Sequence, residues 1–286
     1  MEALMGPFSK PWNELTFADN YIFCKVLEDR TLCKRFIEIL LGITVDHLET
    51  PTVERVIEPF YKQRGIRLDV YVKGEEDGKT EIFDLEMQTG NYDDILLRTR
   101  YYQGISDVTT TKRRTQYSKL KETYIVFICK EDPFGAGLPC YTKRTKFAET
   151  DALAYDDKTH AIFYNASAWS KVENPEAKSL LRFIYEGTAE SVFSKQLETS
   201  VDDAKISPEE EGDYMYFIDI LEEEKEAARA QAREQAFAEG ITKGHADGML
   251  EEQKKTAVTM QSMGLTLEQI ATALRVTKEK AQEYLQ

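Results

Sequence analysis

The chain has 286 residues, with 37 basic and 51 acidic side chains and a formal net charge of −14. That length holds one large domain with an appendage or two small ones, and that charge argues against indiscriminate coating of nucleic acid or anionic membrane, so any DNA contact has to be local. No apolar run approaches the roughly 18 residues of a spanning helix, and Met1 to Trp12 lacks a basic flank followed by an apolar stretch, so a cytoplasmic chain with no membrane partner is expected. Cys24, Cys33, Cys129 and Cys140 form no Cys-x-x-Cys pair and sit among apolar or strand-forming neighbours, which predicts buried free thiols.

From Phe17 to Leu41, Ile22, Phe23, Val26, Leu27, Phe36, Ile37, Leu40 and Leu41 recur at helical spacing, with a polar break at Asp29 to Thr31. Two consecutive helices ending near Gly42 are expected. Past Pro51 come short β-prone runs, Val53 to Ile57, Ile66 to Val72 and Glu81 to Gln88, the last two joined by Glu75-Glu76-Asp77-Gly78 as a hairpin. Ile95 to Ser118 returns to helical spacing, Thr123 to Cys129 reads as a buried central strand, and Ala161 to Tyr164 as another. The order describes an α/β layer around a mixed central sheet flanked by helices. Helices follow at Leu180 to Tyr185 and Val192 to Leu197.

From Glu209 the composition shifts to Glu, Ala, Lys, Arg and Gln, with Gly240, Gly244 and Gly248 at every fourth position, predicting a long solvated helix that is either continuous or broken at these glycines. Gly264 closes one helix, Thr266 with Gln269 caps the next, and Thr277 caps a third. Leu265, Leu267, Ile270, Ala271, Leu274, Val276, Ala281 and Leu285 give this tail an apolar face that calls for a second copy or the core as partner. The expected division is a core over 1–205, a charged helical linker over 206–248, and a helical oligomerisation or regulatory unit over 249–286, making a homodimer or larger assembly.

Strand alternation puts Arg67, Asp69, Tyr71 and Lys73 on one face of the hairpin, with Asp84, Glu86 and Gln88 on the matching face of its second strand. Reflection about a turn near Asp77 sets Asp69 close to Leu85, one step from Glu86, so register decides whether the two carboxylates meet. If they do, they are hard ligands suited to Mg²⁺ or Mn²⁺ and to metal-assisted phosphodiester cleavage. The same alternation equally describes a hairpin whose polar face meets water.

Arg67-Leu68-Asp69-Val70, followed after a charged, glycine-containing turn by Leu85-Glu86-Met87-Gln88, resembles the PD-(D/E)XK nuclease core of the recombination-promoting nuclease, or transposase, family. Phe17 to Lys25 (FADNYIFCK), Arg98 to Gln103 (RTRYYQ), Tyr124 to Lys130 and the glycine-punctuated acidic tail resemble further segments of that family, so the similarity spans nearly the whole chain. It implies a restriction-endonuclease-like core with a helical C-terminal extension, and a Mg²⁺-dependent DNA endonuclease, Mn²⁺ being the alternative ion. It also implies Asp69 and Glu86 as metal ligands, and Gln88 at the position where the broader superfamily has a lysine. A neutral amide there orients water but does not activate it. Lys73 is a compensating cation or a solvated strand end. Asp84 is an outer-shell ligand, a second-metal ligand or a surface carboxylate, and Glu28 or Asp29 is a weaker candidate.

Between Arg98 and Lys121 stand Arg98, Arg100, Lys112, Arg113, Arg114, Lys119 and Lys121, opposed only by Asp107. This stripe is either a phosphate-docking path, with Arg98, Arg100, Lys112, Arg113 and Arg114 as contacts, or a solvated helix face; Lys143, Arg144 and Lys146 extend it. Tyr101 and Tyr102 pack beneath it or stack on a base. The histidines His47, His160 and His245 lack zinc spacing.

Overall fold

Asn20–Leu27 (α1) and Arg30–Leu41 (α2) form the first two helices, and the break between them has a physical cause. The Asp29 carboxylate accepts the backbone N–H groups of Thr31 and Leu32 at 2.7 and 2.9 Å, capping α2, which Gly42 ends in the left-handed conformation at φ 66°. The computed structural model describes residues 10–57, 66–76, 79–90, 92–150, 152–153 and 156–286. Met1 to Ser9 and the expected turn residues Asp77 and Gly78 lie outside the described residues, and Arg67 is described in its backbone only.

The strands are His47–Leu48 (β1), Thr52–Ile57 (β2), Ile66–Glu76 (β3), Lys79–Gln88 (β4), Glu122–Cys129 (β5), Cys140–Lys143 (β6) and Thr159–Asn165 (β7), in one sheet of order β1-β3-β4-β5-β7-β6 with β2 also paired to β3. β3 and β4 are antiparallel, β4, β5 and β7 parallel, and β6 antiparallel to β7, so the sheet is mixed as expected. β1 and β6 are too short to register in hydropathy alone. Gly74 is required where it stands: a Cβ there would lie 2.8 Å from the Phe83 ring.

Ile95–Thr110 (α3) is the crossover from β4 to β5 and covers one face of the sheet, where Ile95, Tyr102 and Ile105 pack on Tyr71, Ile82, Ile125, Phe127, Ala161 and Phe163. The predicted helix to Ser118 stops at Thr110, because Thr111 turns to extended backbone at φ −100° and ψ 120°, and Arg114 follows at φ 71°. α1 and α2 meet the rest of the core through an aromatic group in which Phe17 contacts Phe23, Phe36 and Phe183 at 5.5 to 6.0 Å between centroids. Pro175–Glu186 (α4) and Val192–Ile206 (α5) complete the flanking helices. Cys24, Cys33 and Cys129 are buried thiols, whereas Cys140, on the edge strand, is only half-buried.

The chain divides into two units, one reaching Met215 and the other Tyr216–Gln286. Pro208–Ser262 (α6) is a single helix of 55 residues, so Gly240, Gly244 and Gly248 do not break it. Leu267–Leu274 (α7) carries the expected Thr266/Gln269 capping box, and Thr277 caps Lys278–Tyr284 (α8). The tail's apolar face finds its partner within its own chain: Ile270, Ala271, Ala281 and Tyr284 bury themselves with Ala257 of α6. Phe237, Ile241 and Met249 of α6 stay exposed. No helix among the described residues is long and apolar enough to cross a membrane.

Candidate active site

The register of the hairpin brings the carboxylates together. Pairing runs from Glu76 opposite Lys79 to Val70 opposite Leu85, one residue tighter than reflection about Asp77 implies, and the next step outward sets Asp69 against Glu86. Two hydrogen bonds cross-tie them: the Asp69 N–H donates to Glu86 Oε1 at 3.1 Å, and the Met87 N–H donates to Asp69 Oδ2 at 3.0 Å. Asp84, opposite Tyr71, lies on the same face. These three acids do not meet water, because α3 roofs them, leaving Asp69, Asp84 and Glu86 only 9%, 0% and 2% exposed. The solvated-hairpin alternative is thereby excluded.

Three carboxyls buried together are electrostatically costly. Burial, with the Asp69 and Asp84 charges adding to it, pushes the Glu86 carboxyl well above the usual carboxylate range. Burial and the Asp69 charge do the same to Asp84. Neither Asp84 oxygen receives a hydrogen bond from an N–H or hydroxyl of the described residues, so it can meet the Glu86 carboxyl only by sharing a proton.

Among the described residues, one cation enters the cluster, and it comes from α3. Arg98 Nη2 lies 3.4 Å from Glu86 Oε2, its Nη1 donates to Gln88 Oε1 at 2.9 Å, and its Nε and Nη2 reach the Tyr102 hydroxyl at 3.4 and 3.3 Å. The guanidinium also lies 5.1 Å from the centre of the Phe127 ring. Tyr102, buried and close to Glu86, is pushed up to about 12. Gln88 Nε2 in turn donates to the Gly90 carbonyl, so both ends of its amide are engaged.

The other residues singled out in the sequence are placed apart. Lys73 is four residues up β3 from Asp69, about 13 Å at strand rise, and pairs with Glu49 at 3.6 Å. Asp29 is the α2 cap, and Glu28 pairs with Lys25 at 3.1 Å. Arg100 is exposed on α3, while Lys112, Arg113 and Arg114 emerge at the far end of that helix, about 20 Å from Arg98 at helical rise. Tyr102 is core, whereas Tyr101 is 39% exposed. The contribution that hydropathy missed is Arg98 as a member of the cluster; its signal was position, ten residues past Gln88 at the start of a crossover helix that must return over β4.

With this geometry in hand, comparison with known families is decisive. The family model described as PD-(D/E)XK nuclease family transposase matches residues 17–236. The chain belongs to this family. The match takes in the hairpin, α3, the central strand and the start of the acidic helix, as the resemblance of the motifs implied. No curated protein and no solved structure matches. Nucleases of this superfamily typically use divalent metals, and the family implies a DNA substrate. The donor set here suits such an ion, being all hard oxygen with two buried Asp84 oxygens lacking an N–H or hydroxyl donor. Among the described residues, however, no three His, Cys, Asp or Glu side chains already converge as a metal cage.

Proposed function

We propose that the chain is a metal-dependent DNA endonuclease that hydrolyses phosphodiester bonds, with Asp69 and Glu86 as the ligands of Mg²⁺ or Mn²⁺, Asp84 beside them, and cleavage that promotes recombination. The observation that carries this reading is the buried Asp84 carboxyl with no N–H or hydroxyl donor, two residues from Glu86 in a cluster of three acids. Such a group is costly to keep unless a positive charge completes it. When bound, a hard dication supplies Lewis acidity and a water of lowered pKa. The chain's own residues do the rest. The backbone N–H groups of Asp69 and Met87 fix the carboxylate orientations, and α3 excludes bulk water. Arg98 brings from the helix the positive charge that a lysine at position 88 would supply, and Gln88 holds its guanidinium in place rather than orienting water.

This assignment makes Arg98 a positioning residue and separates it from a phosphate contact. Arg98→Ala is expected to slow cleavage about a hundredfold, the usual loss for one preorganised donor, with Arg98→Lys restoring only part because an ammonium cannot hold Glu86 and Gln88 together. The salt dependence of DNA binding should stay unchanged, whereas loss of a phosphate contact would flatten the log-log slope by about 0.9. A flattened slope with unaltered turnover would overturn the assignment.

A second reading, a nuclease-fold protein that binds DNA and cuts poorly, is favoured by the pairing of Glu86 with Arg98 and the absence of a preformed three-ligand group among the described residues. Nicking of supercoiled plasmid in Mg²⁺, Mn²⁺ and EDTA separates the two: metal-dependent nicking supports the endonuclease, and binding without it supports the rival.

For homodimeric or larger assembly, the support is the exposed Phe237 and Ile241 on α6, which share a helical stripe with Gly244 and Gly248, where close approach is possible. Light scattering should give at least a dimer for the wild type and a monomer for Phe237→Asp with Ile241→Asp. A monomeric wild type would reject assembly.

A further inference from the structure

On the flank of α3 away from Arg98, a cavity of about 530 Å³ opens between the helix and the β6 edge of the sheet, lined by Arg100 and Gln103 of α3, Lys143 at the end of β6, Arg144, and Asp156 and Asp157 ahead of β7. Two residues along an α-helix turn the side chain through about 200°, which is why Arg98 enters the carboxylate cluster while Arg100 faces this cavity. β6 sets the opposite wall: Lys143 pairs with Ala161, whose side chain packs in the layer beneath α3, so Lys143 rises from the same face.

The charges lining the cavity are unequally committed. Each acid is turned back on its own loop: Asp156 accepts the Lys158 N–H at 3.0 Å, and Asp157 accepts the Thr159 N–H at 3.1 Å and the Thr159 hydroxyl at 2.6 Å. Arg100, Lys143 and Arg144 are exposed, and none is in ion-pair contact with a carboxylate of the described residues. Three cations from two sides of one concave site, two of them guanidinium forks, match the geometry of phosphate oxygens. The volume lies within the range of small-ligand sites.

We propose that this cavity binds a phosphate group of a phosphoester, at a site distinct from the carboxylate cluster and independent of whether that cluster cuts DNA. The phosphate comes from the backbone of a polynucleotide or from a free nucleotide, and the test separates these sources.

Full-length protein in EDTA is titrated calorimetrically with deoxyadenosine 5′-monophosphate and, separately, with a 20-base-pair duplex. Lys143→Ala with Arg144→Ala should weaken binding of at least one probe by about tenfold or more, as expected for lost charge-assisted contacts. Arg100→Ala should do the same, and Arg144→Lys should retain much of the affinity. Weakening seen with the mononucleotide, alone or together with the duplex, assigns a free nucleotide, and weakening with the duplex alone assigns backbone phosphate. Far-UV circular dichroism and thermal melting confirm that these surface variants remain folded. Lys195→Ala with Arg30→Ala removes equal charge at exposed positions elsewhere and should leave binding within about twofold, a surface change with little energetic consequence. The proposal is overturned if neither probe binds the wild type, if the cavity variants bind as well as it does, or if the charge-matched control loses as much. Absence of cleavage alongside a cavity-dependent loss of binding would count against the endonuclease alone.

Discussion

Asp69→Ala or Glu86→Ala should reduce plasmid cleavage by about a thousandfold or more, because several kcal/mol of transition-state stabilisation depend on the ion that these carboxylates would hold. Each side chain is also tied to its neighbour's backbone, so the two variants are not independent. Removing Glu86 strands the Asp69 N–H, and removing Asp69 strands the Met87 N–H. Their double variant should therefore be scarcely worse than either single one. The conservative Asp69→Asn and Glu86→Gln keep most of the shape and remove the charge, which separates chemistry from folding. Single-turnover cleavage assays with protein whose melting temperature has been measured make the comparison. Wild-type rates in either alanine variant would remove that residue from the site.

The second large effect is on stability and its pH dependence. Asp84 and Glu86 have folded-state pKa values raised above their unfolded ones, chiefly by burial. A raised carboxyl binds more protons in the folded state, so its stabilising contribution is fully present below the unfolded value, near pH 4, and is lost as pH rises through the folded value. Metal-free protein should thus melt progressively lower as pH increases from about 4 across that window. Asp84→Asn removes one of the acids and should raise the metal-free melting temperature at pH 7, by about 2 to 4 °C for each kcal/mol gained in a domain of this size, and flatten the pH dependence. Excess Mn²⁺ should stabilise the wild type more than the variant. A melting temperature that rises from pH 4 to 7 in EDTA, or an Asp84→Asn variant less stable than the wild type at pH 7, would contradict this account of the cluster.

Much of this molecule could be read from local pattern. The Asp29 break, the Gly42 stop, the continuous apolar run of β5 and the paired Thr caps of the tail are short-range signals, and each produced the element it implied. Asp69 and Glu86 were legible as a pair because strand alternation assigns them to one face. What alternation cannot report is what lies above that face. A polar strand face reads as solvent-facing, yet here a crossover helix covers it, turning a wet surface into a buried cluster. The same helix accounts for Arg98, which looked like part of a continuous basic stripe. Helical geometry disperses that stripe: Arg98 joins the acids, Arg100 turns to the opposite flank, and Arg113 leaves from the other end. The tail illustrates a similar limit, since an apolar stripe reveals that a partner is needed but not that α6 of the same chain provides it.

The contact that joins Asp69 to Glu86 spans only 17 residues of chain, within a single hairpin. Loops this short close at small entropic cost, so the hairpin by itself brings the two carboxylates together, and it is the packing of α3 over them that removes their water. A dication or a proton that neutralises the pair therefore favours the roofed state over any state in which the helix has lifted away.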